Sequence, residues 1–382
     1  MSRGRKVVIL SVVHQALDNR VFYREARTLA AAGYDVTLIA VHDKDETKDG
    51  VHIRALPRVP RTRRPLLWRT AGRMAVETGA DIFHIHDPEL LMVTPWLRRT
   101  TGRPTIYDIH EANADFIAVK DYMPALVRRP LAEVFRRLEP RLARGESGLI
   151  FADDAIAAGF AGFAVPKVTL FNFPGDELIT TGATAMSETE WREPVVIYLG
   201  GLERNRGASV MIAAFAKVVA RMPEARLLIV GHFMPADLED EVRADVASRG
   251  IERAVTITGR VPFEQIGEYL GRASAGWVTW QAVPKNQKNI PTKLFEYMAF
   301  GLPVVSSDLP STRLFVEPGL NGLLVDAGDP SAHAAALLRL LNDPTEAGLM
   351  GRAGRQLVET RYNWNMMAPK LLALYDELLR RH

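Results

Sequence analysis

A chain of 382 residues is long for one core and comfortable for two domains, and its 47% apolar and 24% charged content is ordinary for a globular protein. It has no cysteine, which excludes disulfides and thiolate metal sites and fits a reducing compartment such as the cytoplasm. The net charge is +3, but the first 172 residues carry 26 Lys+Arg against 20 Asp+Glu, so the first half is basic. No aromatic-basic reader pattern accompanies it, and nucleic acid is not an expected partner. No apolar run approaches the roughly 20 residues that span a bilayer.

The start, MSRGRKVVILSVV, alternates like a strand and meets polar His14 and Gln15 instead of a cleavage site, so it reads as a first strand. Strands are then expected at Lys6–Val13, Val36–Ala40, Ile82–Ile85, Thr105–Asp108 and Leu149–Ala152, with helices between, such as Phe22–Ala32 and Leu131–Ala143. Short apolar runs alternating with helices indicate parallel strands buried on both faces. His14, Asp18 and Arg20 follow the first strand, where a phosphate or acceptor would lie, although a capped helix on a surface loop explains them equally. Two basic runs stand out, Arg58–Arg73 and Arg128–Arg144, the second an amphipathic helix. They suggest an anionic membrane surface and a peripheral location on the inner face of the cell membrane, weighed against plain solvated helix faces.

ADIFHIHDPELL places His84 and His86 on one strand face with Asp87 beside them. The spacing suits a metal, but no third and fourth ligand follow at informative spacing, so no metal is expected and packed, hydrogen-bonding histidines are. TIYDIHEAN ends a strand in His110 and Glu111, at the strand end where such sheets put chemistry.

Residues 173–194, polar and rich in Gly, Pro and Thr, read as a linker between domains at 1–172 and 195–363. The alternation restarts with strands at Val195–Leu199, Arg226–Val230, Val255–Thr258, Ala275–Val278, Pro303–Ser306 and Gly322–Val325. In VVIYLGGLERNRGASV a strand runs into Gly200 and Gly201, then Arg206, then a helix, an arrangement that suits a diphosphate. Gly231 and the Gly259-Arg260-Val261 triplet repeat the strand-to-glycine exit. In NIPTKLFEYMAFGLPVV, Lys293 and Glu296 share one helical face, an ammonium for phosphate and a carboxylate for ribose. The segment 364–382 reads as a C-terminal amphipathic helix that returns to the N-terminal domain. The fold class expected is α/β, with two tandem Rossmann-like doubly wound domains, a ligand cleft between them and a helical tail.

The ordered set of strand-Gly-Gly-Leu, basic-Gly-helix, strand-Gly-Arg-Val and PxKxFEYMAxGxPVV resembles the retaining glycosyltransferases of the GT-B fold, specifically glycosyltransferase family 4. DNRVFYREARTLAAAGYDVTLIA, HIHDPELL and YDIHE resemble one branch of it. The resemblance implies transfer of a sugar from a nucleoside-diphosphate donor, with no further cofactor, to a saccharide or lipid-linked saccharide in polysaccharide or glycoconjugate assembly. It implies that Glu296 binds the ribose, that Arg206 binds the diphosphate, that Gly259, Arg260 and Val261 border the base, and that His110 lies near the donor sugar. His110, Arg206 and Glu296, with Lys293 as a candidate replacement for the missing diphosphate cation, form the catalytic set. Gly200, Gly201, Gly231, Lys288 and Leu294 complete the donor side, and His14, Asp18, Arg20, His86, Asp87 and Glu111 are acceptor-side candidates. The chain departs from the family in three places: Lys288 stands eight positions before Glu296, where an acid is usual; Gly201 stands where many members have arginine; and the first loop lacks paired glycines. No acid is identifiable as a nucleophile of the kind retaining hydrolases use, so a front-face displacement is implied, in which the leaving phosphate helps deprotonate the acceptor. A nucleotide-sugar epimerase of the same architecture and a non-catalytic nucleotide-sugar-binding protein remain as alternatives.

Overall fold

The computed structural model describes residues 4–119, 123–187 and 193–381. Two compact units emerge, one of Met1–Ala118, Ala125–Asn172 and Trp364–His382, the other of Val119–Pro124 and Phe173–Asn363.

The first unit is built on an eight-stranded sheet. Its strands are β1 (Lys6–Gln15), β2 (Asp35–Val41), β3 (Glu46–Lys48), β4 (Val51–Leu56), β5 (Ile82–Ile85), β6 (Thr105–Ile109), β7 (Gly148–Phe151) and β8 (Lys167–Thr169). Their order is β3-β4-β2-β1-β5-β6-β7-β8, parallel except for β3 against β4. The five strands read from apolar runs are all present. Three more are short or edge elements that such runs do not announce. β4 alternates buried Val51 and Ile53 with exposed His52, and Asp49-Gly50, both at positive φ, turn β3 back onto it. The core is made by Val8, Leu10, Ile39, Phe83, Ile85, Tyr107, Leu149 and Phe151, with helices on both sides of the sheet. The helix expected at Phe22–Ala32 is a π-helical turn, Val21–Ala26, running into a short α-helix, Arg27–Ala31. The C-terminal helix Ala368–Arg381 buries Leu371, Leu374, Tyr375 and Leu378 within this unit.

The second unit carries a six-stranded, fully parallel sheet in the order β13-β11-β9-β14-β15-β16. These are β9 (Val195–Leu199), β11 (Arg226–Val230), β13 (Val255–Gly259), β14 (Ala275–Val278), β15 (Val304–Ser307) and β16 (Gly322–Val325), and all six occupy the expected runs. A two-stranded ribbon of β10 (Leu202–Glu203) and β12 (Phe233–Met234) sits beyond the ends of β9 and β11. Tyr198, Met211, Phe215, Trp277 and Leu337 anchor its core.

The stretch expected as a linker is not loose among its described residues. Asp176–Ser187 forms a helix within the second unit, and residues 188–192 of the expected linker lie outside the described residues. Its Gly182 packs so closely on the helix Lys293–Ala299 that a Cβ there would stand 2.0 Å from the Ala299 carbonyl oxygen. Small residues on the contact face allow that approach, and small residues are what make the stretch look like a linker in the sequence.

Both sheets reverse strand order at one place. In the first unit β1 lies between β2 and β5; in the second β9 lies between β11 and β14. The carboxyl ends of those strands are the topological switch points where doubly wound sheets bind ligands.

Candidate functional site

In the second unit β9 leaves the sheet at Gly200 and Gly201, and the chain turns through a 3-10 helix, Arg204–Arg206, into the helix Ala208–Val219. Gly207 makes this turn with φ 81°, where a Cβ would stand 2.0 Å from the Thr279 carbonyl oxygen. Gly231, at the exit of β11, has φ 153° and lies against Gly200, whose carbonyl oxygen would be 2.2 Å from a Cβ. The exits of β9 and β11 therefore touch through backbone alone.

Basic groups gather round these glycines. Arg206 Nη1 donates to the Gly201 carbonyl at 2.8 Å, and its Nη2 lies 2.9 Å from Glu203 Oε1. Its guanidinium also stands 5.5 Å from the centre of the Trp280 ring. The turn beneath it is pinned by Thr279 Oγ1, which donates to the Arg206 carbonyl at 2.7 Å, and by Asn286 Nδ2, which donates to the Asn205 carbonyl at 2.8 Å. His232 stands beside Gly201; burial, then the charges of Arg260 and Arg206, lower its pKa. Arg260 is exposed, and Val261 beside it is half-buried.

Lys293 and Glu296 project from the helix Lys293–Ala299, and both are buried, Glu296 at 9% exposure. The Lys293 ammonium lies 3.5 Å from the centre of the Tyr198 ring and beside Gly200, with no hydrogen-bond partner among the described residues. Burial, then the charge of Arg206, pushes its pKa well down, against the pull of Glu296. The helix is locked to the sheet by Tyr297, whose hydroxyl accepts from the Leu199 amide at 2.9 Å and donates to the Trp277 carbonyl at 3.2 Å. Gly276 makes room for that ring, since a Cβ there would stand 2.2 Å from it.

The structure thus gathers Gly200, Gly201, Arg206, Gly231 and Lys293 at one switch point. Gly259 ends the neighbouring β13 and bridges to Gly231. The Leu294 side chain is fully buried in the core, because the helix turns it away from the face shared by Lys293 and Glu296, which leaves only its backbone to the donor side. Lys288 is exposed on a different short helix, Pro284–Lys288, whose inward lysine is Lys285. His232, Tyr297 and Gly276 were missed by the sequence reading. A strand-Gly-His exit was visible at His232; nothing in the sequence marks the other two.

In the first unit the ends of β1, β5 and β6 hold a dense polar group. Asp87 Oδ2 accepts from Ser11 Oγ at 2.9 Å and from the amides of Val12 and Val13 at 2.6 and 3.1 Å, tying β5 to β1. Asp18 Oδ1 accepts from the amides of Arg20 and Val21 at 2.8 and 3.1 Å. His14 lies 3.6 Å from both Asp18 and Asp87. Burial works against its charge, but the facing Asp18 carboxylate and then the charges of Asp87 and Glu111 raise its pKa to about 9.

Arg20 does not reach for a ligand as expected. It is buried, donates from Nε and Nη2 to Asp108 at 2.8 and 2.9 Å, and donates from Nη1 to the Leu170 carbonyl at 2.7 Å and Asn172 Oδ1 at 2.9 Å. It buttresses the sheet ends from within. His86 is fully enclosed, its Nδ1 2.8 Å from His110 Nε2, so it also lies behind the surface. His110 is partly exposed at the rim, with the His14 ring centred 5.0 Å away and tilted by 44°. His14, Asp18 and Glu111 are the members of the expected acceptor-side group that remain solvent-accessible, and His110, expected near the donor sugar, is accessible beside them.

Two switch points in two doubly wound sheets, one ringed by glycines and cations with a buried acid, define a protein of the class that binds phosphorylated ligands at its strand ends. Comparison with known proteins agrees. The model of the "Glycosyl transferases group 1" family matches residues 193–343, and that of the "Glycosyl transferase 4-like domain" matches residues 19–174. The chain belongs to this family of GT-B glycosyltransferases.

A D-inositol 3-phosphate glycosyltransferase of Segniliparus rotundus is 30% identical over 217 residues, 56% of this chain and 46% of that protein, so the chain matches about half of that relative's length. A phosphatidyl-myo-inositol mannosyltransferase of Mycolicibacterium smegmatis is 27% identical over 317 residues, 82% of this chain and 75% of that one. In fold, the chain resembles sucrose-phosphate synthase of Thermosynechococcus elongatus, with TM-score 0.81 and 21% identity over 99% of this chain and all of that one. It also resembles Anabaena HepE, solved with UDP and glucose, with TM-score 0.75 and 16% identity over 97% and 99% of the two chains.

Proposed function

We propose that the protein transfers a sugar from a nucleoside-diphosphate-sugar, with retention of anomeric configuration, to a saccharide or lipid-linked acceptor. The observation that carries the reading is the buried Lys293 ammonium, unpaired by hydrogen bonds among the described residues, placed at the glycine exit of β9 one turn from Glu296. Arg206, Arg260 and His232 add positive potential around the same exits. Anionic oxygens would supply the acceptors that the Lys293 ammonium lacks among the described residues, and a vicinal diol is what a buried carboxylate grips.

Lys293 and Arg206 would stabilise the departing diphosphate, and Glu296 would fix the ribose. Catalysis then comes from positioning and charge stabilisation, with no protein nucleophile. His110, at the rim of the first unit's switch point, has the place to hydrogen-bond a sugar hydroxyl. Two relatives named for inositol-containing acceptors, and a structural neighbour solved with UDP and glucose, favour a polyol or lipid-linked polyol acceptor and a UDP-sugar donor.

The helix Ala125–Ala143 supports a lipid-side acceptor. Leu126, Val127, Leu131, Val134 and Leu138 are exposed along it, among arginines. An apolar stripe bordered by cations suits an anionic bilayer surface. The other basic run contributes less than expected: in Arg58–Arg73 Leu67 is buried and Trp68 packs on the core, leaving Leu66 exposed.

The test is a thermal-shift screen against UDP-, GDP-, ADP- and dTDP-sugars, followed by product analysis with and without acceptor. Stabilisation by one donor and acceptor-dependent release of nucleoside diphosphate are expected. Arg206→Ala should lower turnover by orders of magnitude with folding intact. Conversion of the donor without acceptor would replace transfer with epimerisation.

A further inference from the structure

Glu25, His84, His86 and Asp108 come together beneath the switch point of the first unit, all of them buried and all within 4.8 Å of one another by one ligand atom each. Their hydrogen bonding does not close. Glu25 Oε2, His84 Nε2 and His86 Nε2 have no hydrogen-bond partner among the described residues. Arg20 Nε stands 3.0 Å from Glu25 Oε1, yet it directs its hydrogen bond to Asp108. Buried polar atoms without partners are rare, and each costs about 1–3 kcal/mol. Three that face one point require a common explanation.

The separations supply it. Glu25 Oε2 lies 3.8 Å from His84 Nε2 and 3.6 Å from His86 Nε2, and Asp108 Oδ2 lies 3.9 Å from His84 Nε2. These gaps are too long for hydrogen bonds. Bonds of about 2.0–2.2 Å at tetrahedral angles set neighbouring ligands of one cation about 3.3–3.6 Å apart, so the 3.6 Å gap already fits and the gaps of 3.8 and 3.9 Å need to close by only a few tenths of an ångström.

The other ring nitrogens are engaged as metal-bound histidines require. His84 Nδ1 is 2.9 Å from the Tyr375 hydroxyl, and His86 Nδ1 is 2.8 Å from His110 Nε2. In the tautomers that carry their proton on Nδ1, both Nε2 lone pairs face the point, while Asp108 Oδ2 lies 3.4 Å from His86 Nδ1. Asp108 is held in place by the two-pronged grip of Arg20. The π-helical turn Val21–Ala26 presents Glu25 inward. His84 lies on β5 and His86 just past its end, and the remaining two ligands come from distant stretches of chain, which is why spacing near HIHD does not reveal them.

We propose that Glu25, His84, His86 and Asp108 bind one divalent transition-metal ion of the zinc class. The set of two imidazoles and two carboxylates suits zinc better than magnesium or calcium, which take oxygen ligands. The ligands are fully enclosed, so the ion is structural: it fastens β5, β6 and the first helical turn, and through Tyr375 the C-terminal helix. It enters on folding and takes no part in sugar transfer.

The test uses tag-free, full-length protein from zinc-supplemented culture, analysed by elemental mass spectrometry. About one equivalent of zinc per chain is expected. Unfolding in guanidinium with chelator, then refolding with and without zinc, should give melting temperatures that differ by roughly 5–10 °C. Refolding with cobalt should give visible absorption bands, and X-ray absorption should report two imidazole ligands. Glu25→Gln and His86→Gln should each lower the zinc content at least about tenfold; if they fail to fold, the cobalt and X-ray signatures of the wild type decide. Less than a tenth of an equivalent, with identical melting with and without zinc, overturns the proposal and leaves a proton-sharing network. Full zinc retention in a folded double variant overturns it too.

Discussion

At the residue scale, the chemistry rests on side chains held in a costly state. The Lys293 ammonium is buried on the Tyr198 ring, and burial drives its pKa down. An ammonium stripped of water and hydrogen-bond acceptors destabilises the empty protein. Lys293→Met keeps the stem and removes the charge. It should raise stability to urea by about 1–3 kcal/mol while weakening UDP binding about 10–100-fold. Equal UDP affinity by calorimetry would remove Lys293 from the diphosphate site. His14 gives a second residue-level prediction. Its folded pKa of about 9 exceeds the ordinary 6.5, so its pairing with Asp18 stabilises the fold fully below pH 6.5 and ceases to do so as pH rises through 9. Stability curves of wild type and His14→Gln should differ at pH 6 and converge by about pH 10. A pH-independent difference would show that packing, not charge, holds the ring. Glu296 and Lys293 were legible because one helix carries both. Arg20 misled because its position at a strand exit is visible in the sequence, whereas its partners Asp108, Leu170 and Asn172 are distant in the chain.

At the element scale, legibility followed burial. In the second sheet β9, β11 and β14 are mostly apolar, buried runs and were readable for that reason, whereas β13 (VTITG) and β15 (VVSS) carry polar residues and were readable from their place between helices. β4, β3 and β8 are edge or near-edge strands with polar faces, and they carry little apolar signal. The helix Asp176–Ser187 was hidden by the same Thr, Gly and Ala residues that let it pack closely. The helix Ala125–Ala143 was legible as amphipathic, and its exposed stripe gives the prediction at this scale. Arg136 and Arg137 pair with Glu133, and Arg136 with Asp115, so part of its basic charge is already neutralised. The apolar stripe must then carry much of the membrane affinity. Val134→Glu with Leu138→Glu should abolish flotation with anionic liposomes at low salt, leaving melting temperature and donor binding unchanged. Wild type that fails to float with such liposomes would rule out the membrane surface.

At the scale of the whole molecule, the first unit is completed by chain from the far end. Trp364, Leu371, Leu374, Tyr375 and Leu378 are buried in it, and Trp364 Nε1 donates to Thr28 Oγ1 at 2.7 Å. Tyr375 also reaches His84, in the middle of the polar group beneath the switch point. Each large apolar side chain contributes about 1.5–3 kcal/mol when buried, so these five supply roughly 8–15 kcal/mol, as much as the whole stability of an ordinary domain. Ending the chain after Asn363 should therefore unfold the first unit and spare the second, whose sheet and core include none of these residues. Hydrogen exchange resolves the two outcomes. Amides of β1, β5 and β6 should lose protection in the shortened chain, while those of β9, β11 and β14 keep it, and UDP should still slow exchange around Gly200 and Gly231. Unchanged protection of β5 would mean that the first unit stands without its C-terminal helix, and that the helix lies on a core already closed.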